Sequence, residues 1–342
     1  MITALRVQVF FMILFLIGCA SVRDSGKALG TAGQTATQTL VDQTETARKT
    51  LNALPEWWGV HDALVCANIK SGSEGRTACL NYLNNSVHQP QPGRPLTNAQ
   101  KTLLEVMSKR IVAEQALRDA YQSFTNLAIY DAGAETEQAI KGALGAVNDL
   151  TAAAATIAPQ GVALHAISST FTTVASGLGN FIASERQEQL IIAANDDLHK
   201  ATDAMILALT VERDKAASIS LFTTLGAEGD ALYSAFVQSG LVSPRDALAP
   251  LLMQIAPNAQ MVQTPPSAND DVIRTAATVS LAEQSRRKQN AIASSYDASL
   301  AALKALSSEH VKLKNGHAIN LDSIISQAKR IQTLLDDIKQ NK

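Results

Sequence analysis

Apolar side chains recur at three- and four-residue steps along three long stretches of this chain. Such spacing places them on one face of an α-helix, so each stretch predicts a helix with a buried face. Aromatic residues are only 4% of the chain, which favours closely packed helices over a β-sandwich. We predict an all-α fold: an elongated antiparallel helical bundle containing a long helical hairpin. The three stripes are Leu104, Met107, Ile111, Leu117, Tyr121, Phe124 and Ala128, with Glu114 as the polar member; Ile191, Ala194, Leu198, Ala201, Met205 and Ala208; and Ile324, Ala328, Ile331, Leu335 and Ile338.

The first 18 residues have the pattern of a cleavable signal. Arg6 precedes an apolar run from Val7 to Ile17, and the uncharged stretch ends at Val22. A membrane-spanning helix needs about 20 predominantly apolar residues. The shorter run therefore predicts a signal peptide that is removed.

Leu16, Ile17, Gly18 and Cys19 resemble the lipobox of bacterial lipoproteins, over roughly the first twenty residues of the chain. The resemblance implies cleavage between Gly18 and Cys19, a diacylglycerol thioether on Cys19, and acylation of the new amine, for example with palmitate. In the commonly studied sorting system, an Asp after the cysteine retains lipoproteins at the inner membrane. Ala20 stands there instead, which favours the outer membrane where the source has one. We expect the protein to face the periplasm, and exposure at the cell surface is left open. The alternatives are an ordinary signal peptide with a stray cysteine and an uncleaved anchor.

Cys66 and Cys79 are predicted to form a disulfide. Compartments outside the cytoplasm are oxidising, and disulfides persist there. Both cysteines lie in helical patterns, and the turn "SGSEG" between them would bring two antiparallel helices together. Their spacing is not that of a redox or zinc motif. The nearby pair Trp57 and Trp58 leaves two hypotheses open, a plug in this small helical subdomain and a contact with the lipid interface.

Proline, glycine and capping signals divide the chain. "HQPQPGRP" cannot continue a helix, Thr97 and Gln100 fit a capping box, and Asn320 fits a helix start. Asp270 and Asp271 place negative charge at the start of a helix that is expected to run to about Lys314 and to stop at Asn315 and Gly316. The predicted segments are a signal peptide (1–18), a lipidated tether (19–39), a small helical subdomain (40–87), a proline-rich linker (88–96), a long helical hairpin (97–225), a proline-interrupted connector (226–266) and C-terminal helices that complete the bundle (267–342).

Residues 150–184 contain no Asp, Glu, Lys or Arg. Three hypotheses compete for this hairpin tip: close packing through small side chains, docking to another envelope protein, and insertion into a bilayer. The stretch is rich in Thr and Ser, which disfavours a spanning helix. Its candidate interaction residues are Pro159, Gly161, Phe171, Gly177, Gly179 and Phe181.

The sequence gives no support for catalysis, a metal site or a cofactor beyond the covalent lipid. The six histidines are scattered, and neither a zinc-protease motif nor a phosphate-binding loop is present. Acidic residues on the second arm are expected to be solvated rather than catalytic; they are Glu185, Glu188, Asp196, Asp197 and Asp203. The chain carries 29 basic and 31 acidic residues, so nucleic-acid binding is not indicated.

These observations predict a lipid-anchored envelope protein that acts as a structural or protein-binding module. The expected partners are the membrane and an envelope protein, and homo-oligomerisation is left open. The alternative is a membrane-active protein whose 150–184 hairpin contacts or enters a bilayer.

Overall fold

The computed structural model of the chain describes residues 21–68, 73–87, 95–130, 132–159, 165, 167, 183–255 and 270–339. Within these residues all regular secondary structure is helical, which confirms the all-α prediction. The helices are α1 (Val22–Asn52), α2 (Leu54–Asn68), α3 (Glu74–Val87), α4 (Asn98–Ile129), α5 (Gly133–Ala155), α6 (Ala183–Ser218), α7 (Leu221–Gln238), α8 (Pro244–Ile255), α9 (Asp270–Lys314) and α10 (Asp322–Lys339).

Several helix ends are formed by the predicted residues. The backbone N–H of Thr97 donates to Gln100 Oε1 at 2.9 Å, and the N–H of Gln100 donates to Thr97 Oγ1 at 3.2 Å. This reciprocal pair is the predicted capping box. Gly316 follows α9 with a φ of 68°, a conformation that glycine adopts without strain. Before α10, Asn320 Oδ1 accepts from the N–H of Asp322 at 2.9 Å.

The chain divides into two compact units, each made of three chain segments. Unit 1 comprises Met1–Glu45, Glu105–Lys215 and Ser295–Thr333. Unit 2 comprises Thr46–Leu104, Ala216–Ser294 and Leu334–Lys342. The segments alternate along the sequence, so neither unit corresponds to one continuous stretch.

Unit 1 contains a bundle built from parts of α1, α4, α6 and α9, in which successive helices run antiparallel. Interhelical hydrogen bonds show that neighbouring helices run in opposite directions, because residues near the start of one helix bond with residues near the end of its neighbour. The bonded pairs are Arg23 with Ile129 and Gln43 with Arg110 for α1 and α4; Gln187 with Leu127 and Glu212 with Arg110 for α6 and α4; and Asn195 with His310 and Glu212 with Tyr296 for α6 and α9.

The predicted tether over residues 19–39 is wrong for residues 22–39, because α1 begins at Val22 and packs into unit 1. Leu29 and Ala36 are completely buried. Gly26, Gly30 and Gly33 lie at helical spacing and let α1 approach α4 closely: a methyl group at Gly33 would overlap the Tyr121 ring. Glycine and alanine in this segment form a packing face, where the composition had indicated a linker.

The first arm of the predicted 97–225 hairpin is two helices rather than one. Helix α4 ends at Ile129, and α5 begins at Gly133. Thr136 Oγ1 donates to the Ser123 carbonyl at 3.0 Å, which ties the first turn of α5 to α4. On the second arm, Ser220 interrupts the helical path with a φ of 52° between α6 and α7.

Unit 2 contains the small disulfide-linked pair α2 and α3. Helix α2 also packs on α7, which places part of the predicted 226–266 connector in a helical core. Val237 and Ala277 are buried together there, with Val242 packed against them. Trp58 is 7% exposed, and Trp57 is half-buried. Burial of Trp58 favours the plug hypothesis for the tryptophan pair over the lipid contact.

Candidate functional site

Most of the predicted site residues lie outside the described residues. These are Gly18, Cys19, Gly161, Phe171, Gly177, Gly179 and Phe181. Pro159 is described and exposed. At the start of the uncharged tip, α5 buries Leu150 and Ala154. The docking and insertion hypotheses for the tip therefore stay predictions.

The predicted disulfide is present between Cys66 and Cys79, whose Cα atoms are 5.6 Å apart. It links α2 and α3 across the predicted turn. Closing a loop of this size stabilises the folded state by on the order of 3 kcal/mol in the chain-entropy model.

A cluster of buried polar side chains crosses the interior of unit 1, and only Glu114 among them was indicated by the helical stripe in the sequence. The cluster, here named the charged layer, is centred on Arg110, which is 0% exposed. Arg110 donates to Glu114 Oε1 at 2.7 Å, Glu212 Oε1 at 3.0 Å and Gln43 Oε1 at 2.6 Å. The layer consists of Gln43, Thr44, Arg110, Glu114, Glu212, Ser295 and Tyr296, and it joins α1, α4, α6 and α9.

The charged layer encloses two carboxyl groups and one guanidinium. Burial raises the pKa of Glu114 to about 7, although Arg110 acts in the opposite direction. The hydroxyl of Thr44 is 2.8 Å from Glu114 Oε2 and 2.9 Å from the Leu40 carbonyl. A proton on Glu114 Oε2 would be donated to Thr44 Oγ1, while Thr44 donates to Leu40. The geometry therefore accommodates the protonated form of Glu114, which removes the excess negative charge.

Glu212 supplies the second carboxyl group. Its Oε1 accepts hydrogen bonds from Arg110 and from the hydroxyl of Tyr296, the latter at 2.7 Å. Its Oε2 is buried and has no hydrogen-bond partner in the described part of the chain. A buried carboxylate needs compensating donors, so Glu212 depends strongly on Arg110.

A second buried cluster in unit 1, here named the neutral layer, consists of Tyr121, Thr202, His310 and Asn195. The Tyr121 hydroxyl is 2.7 Å from His310 Nε2 and 2.8 Å from Thr202 Oγ1. Asn195 Nδ2 donates to the His310 carbonyl, so its Oδ1 accepts from His310 Nδ1 at 2.7 Å. Burial, with a smaller effect of His199, lowers the pKa of His310 to about 3. A neutral imidazole protonated on Nδ1 satisfies this chain of hydrogen bonds.

Ser307, His199 and Asp203 come together beside the neutral layer, but not in the order of a catalytic relay. His199 Nε2 is 3.1 Å from Ser307 Oγ and 3.3 Å from Asp203 Oδ2. Ser307 Oγ donates to Asp203 Oδ1 at 2.7 Å. In a nucleophile–base–acid relay, the serine and the carboxylate contact different nitrogens of the imidazole. Here both contact the same nitrogen, and the serine proton is directed to the carboxylate.

A surface cleft of about 540 Å³ lies near the start of α1 and is lined by Val22, Glu188, Ile192, Asp196 and Lys314, among others. Asp196 accepts from Lys314 at 2.6 Å and pairs with Lys200 at 2.9 Å. Desolvation acts against ionisation here, but the two lysines lower the pKa of Asp196 overall. The described residues contain no group of three or more His, Cys, Asp or Glu side chains that could hold a metal ion.

Arg23, in the first turn of α1, binds the C-terminal end of α4. Its guanidinium donates to the Ala128 carbonyl at 3.3 Å and to the Ile129 carbonyl at 3.0 Å. These carbonyls lie in the last turn of α4, where a positive charge is favourable. Ser21 Oγ accepts from the N–H of Asp24 at 3.2 Å. Ser21, two residues after Cys19 in the sequence, therefore caps the start of α1.

Comparisons of the chain with protein-family models, with curated proteins and with solved structures gave no match. None of the helices in the described ranges is long and apolar enough to cross a membrane.

Proposed function

We propose that this chain is a lipid-anchored envelope protein that acts as a structural or protein-binding module and not as an enzyme. The observation that carries the proposal is the start of α1 at Val22, directly after the lipobox-like residues that end at Cys19. A lipid on Cys19 would attach the membrane almost directly to a core helix of unit 1.

The interior of unit 1 supports a structural role. Four helices are joined by buried hydrogen bonds among Gln43, Arg110, Glu114, Glu212 and Tyr296. Buried polar groups at fixed positions favour one register of the helices, because any slip leaves them unpaired. In a bundle with one fixed register, the residues on the outer surface keep fixed positions relative to one another, as a structural or binding module requires.

The surface of unit 2 supports protein binding. Several large apolar side chains there are exposed, and Val279 is 64% exposed. Where such side chains form a contiguous patch, the patch is typical of a protein-binding surface. The others in this unit are Val60, Val65, Tyr233, Leu241, Leu251, Met253, Ile255 and Val272.

The anchor is tested by growing cells with an alkyne analogue of palmitate and isolating the full-length protein. We expect labelling of the parent and of a Cys66→Ser/Cys79→Ser variant, and none of Cys19→Ser. Equal labelling of Cys19→Ser would exclude Cys19 as the site. Absence of label from all three would contradict the lipid anchor.

Protein binding is tested with a photoreactive residue at Val279 in cells. Val112, which is 55% exposed in unit 1, is the matched control. We expect one defined protein adduct from position 279, identified by mass spectrometry, and its loss when neighbouring Val272 is changed to Lys. Equal adducts from positions 112 and 279 would indicate random collision.

The membrane-active alternative, based on residues 150–184, makes a different prediction. The purified protein would release a trapped dye from vesicles if this hairpin entered the bilayer. Under the structural proposal we expect no release.

A further inference from the structure

The start of α1 at Val22 leaves little chain between the predicted lipidation site at Cys19 and the folded unit 1. From Cys19 to Val22 there are three Cα–Cα steps, which span at most about 11 Å even when fully extended. Val22 belongs to α1, and α1 is packed into unit 1 through Gly26, Leu29 and Gly33. A lipidated Cys19 would therefore hold this end of unit 1 within a short distance of the lipid headgroups.

The groups around the start of α1 suit that position. Arg23 is fixed by its hydrogen bonds to the Ala128 and Ile129 carbonyls, so the end of α4 lies beside the start of α1. Ile129 is 47% exposed and Tyr130 is 51% exposed. Tyrosine is enriched where membrane meets water, because its ring is apolar and its hydroxyl is polar.

The charges near this end argue against simple attraction to anionic lipid. Lys314 lies in the cleft with Val22, but Glu185 and Glu188 line the same cleft. Acidic and basic groups therefore occur together. Contact should depend on the apolar side chains and on the short connection to Cys19.

From this geometry we infer that the surface formed by Val22, Arg23, Ile129 and Tyr130 rests on the lipid surface. This surface is here named the anchor face. The inference depends on the proposed lipidation of Cys19. It adds that the protein is held against the membrane in one orientation, whereas a tether would let it rotate freely.

The test uses full-length lipidated protein, reconstituted in vesicles of phosphatidylethanolamine and phosphatidylglycerol. One variant carries Tyr130→Cys and the other Val112→Cys, each labelled with a fluorophore. Both positions are exposed and lie on or just after α4, about 27 Å apart along a helix. Circular dichroism checks that both variants keep the helical fold.

We expect the label at position 130 to be quenched by lipid-borne nitroxides and protected from aqueous iodide. The label at position 112 should show the opposite pattern. If the protein floats with the vesicles but iodide reaches both labels equally, the anchor stands and the inferred contact is wrong. If the protein carries no lipid and does not float, both the proposed anchor and the inferred contact are wrong.

Discussion

The charged layer and the neutral layer lie in the same bundle and are both shielded from water, but their buried polar groups are compensated differently. Around Arg110, the interior holds formal charges and leaves Glu212 Oε2 without a partner among the described residues. Around His310, uncharged groups form a chain of hydrogen bonds from Thr202 to Asn195. Burial of both layers therefore shifts the pKa values of Glu114 and His310 in opposite directions.

For Glu114, burial raises the pKa from 4.5 to about 7. Between these values the folded protein keeps a proton that the unfolded chain has released, so this group contributes stability that is lost as pH rises. For His310, burial lowers the pKa from 6.5 to about 3. There the unfolded chain gains a proton that the folded protein lacks, so stability is lost as pH falls. Between about pH 4.5 and 6.5 the two effects oppose each other.

The largest expected effect is on the charged layer. Arg110→Met leaves two buried carboxyl groups without their cation, and we expect a loss of about 3–5 kcal/mol in the free energy of unfolding at neutral pH. Urea denaturation followed by circular dichroism measures it. Arg110→Met combined with Glu114→Leu and Glu212→Leu removes the charges together and should recover most of the stability. A single variant as stable as the parent would mean that the layer does not depend on Arg110.

The next prediction separates the two opposing pH effects. In the Glu114→Gln variant, of the two groups only His310 still titrates, so the free energy of unfolding should rise with pH across 4.5–6.5. In His310→Gln only the Glu114 effect remains, and stability should fall over that range. Each change should be on the order of 3 kcal/mol, with the parent changing less than either variant. Parallel urea-unfolding profiles for all three proteins would show that neither group titrates as described.

A smaller effect is expected from Tyr121→Phe, which removes the central hydroxyl of the neutral layer. His310 Nε2 and Thr202 Oγ1 then lose a buried partner, at a cost of about 1–3 kcal/mol. His310 Nε2 loses the hydrogen bond that it accepts from Tyr121, but no charge is removed. The stability of the variant should therefore change with pH in the same direction as that of the parent. Thermal unfolding at two pH values measures both properties. A reversed pH dependence would indicate that Tyr121 controls the protonation of His310.

The smallest pair of effects concerns glycines with different surroundings. Gly33→Ala pushes a methyl group into the Tyr121 ring, and overpacking of this kind costs about 1–3 kcal/mol. Gly142→Ala, on α5, meets no atom within 4 Å and should gain up to about 1 kcal/mol from helix propensity. A melting temperature below the parent's for Gly33→Ala, together with one above the parent's for Gly142→Ala, would support the packing of α1 on α4. Stabilisation by both changes would contradict it.

Local chemistry made part of the fold predictable. The Thr97 and Gln100 capping box, the stop at Gly316 and the buried stripe on α6 depend on neighbouring residues and helical spacing, so the sequence alone indicates them. The Cys66–Cys79 bond also follows from two helices and a short turn. Each of these features is decided within a few residues along the chain.

Features that depend on distant partners were missed. Arg110 looks like a surface residue until Glu212 and Gln43 are brought beside it, although its spacing of four from Glu114 within an apolar stripe was a usable signal. Gly26, Gly30 and Gly33 have a linker-like composition, and only the distant groups packed against them explain why they must be small: Ile191 at Gly26, Thr125 at Gly30 and the Tyr121 ring at Gly33. No proline marks the break between α4 and α5 after Ile129, so the sequence predicts one continuous helix there. For Arg110 and for the three glycines, the deciding atoms are distant in sequence.

The interleaving of the two units has a consequence for how this protein can change over generations. Each of the five boundaries between their segments falls inside a helix: α1, α4, α6, α9 or α10. A genetic crossover at any one boundary would join half a helix from one parent to half from another and exchange parts of both units. Neither unit can therefore be inherited, duplicated or lost as one uninterrupted segment of the gene.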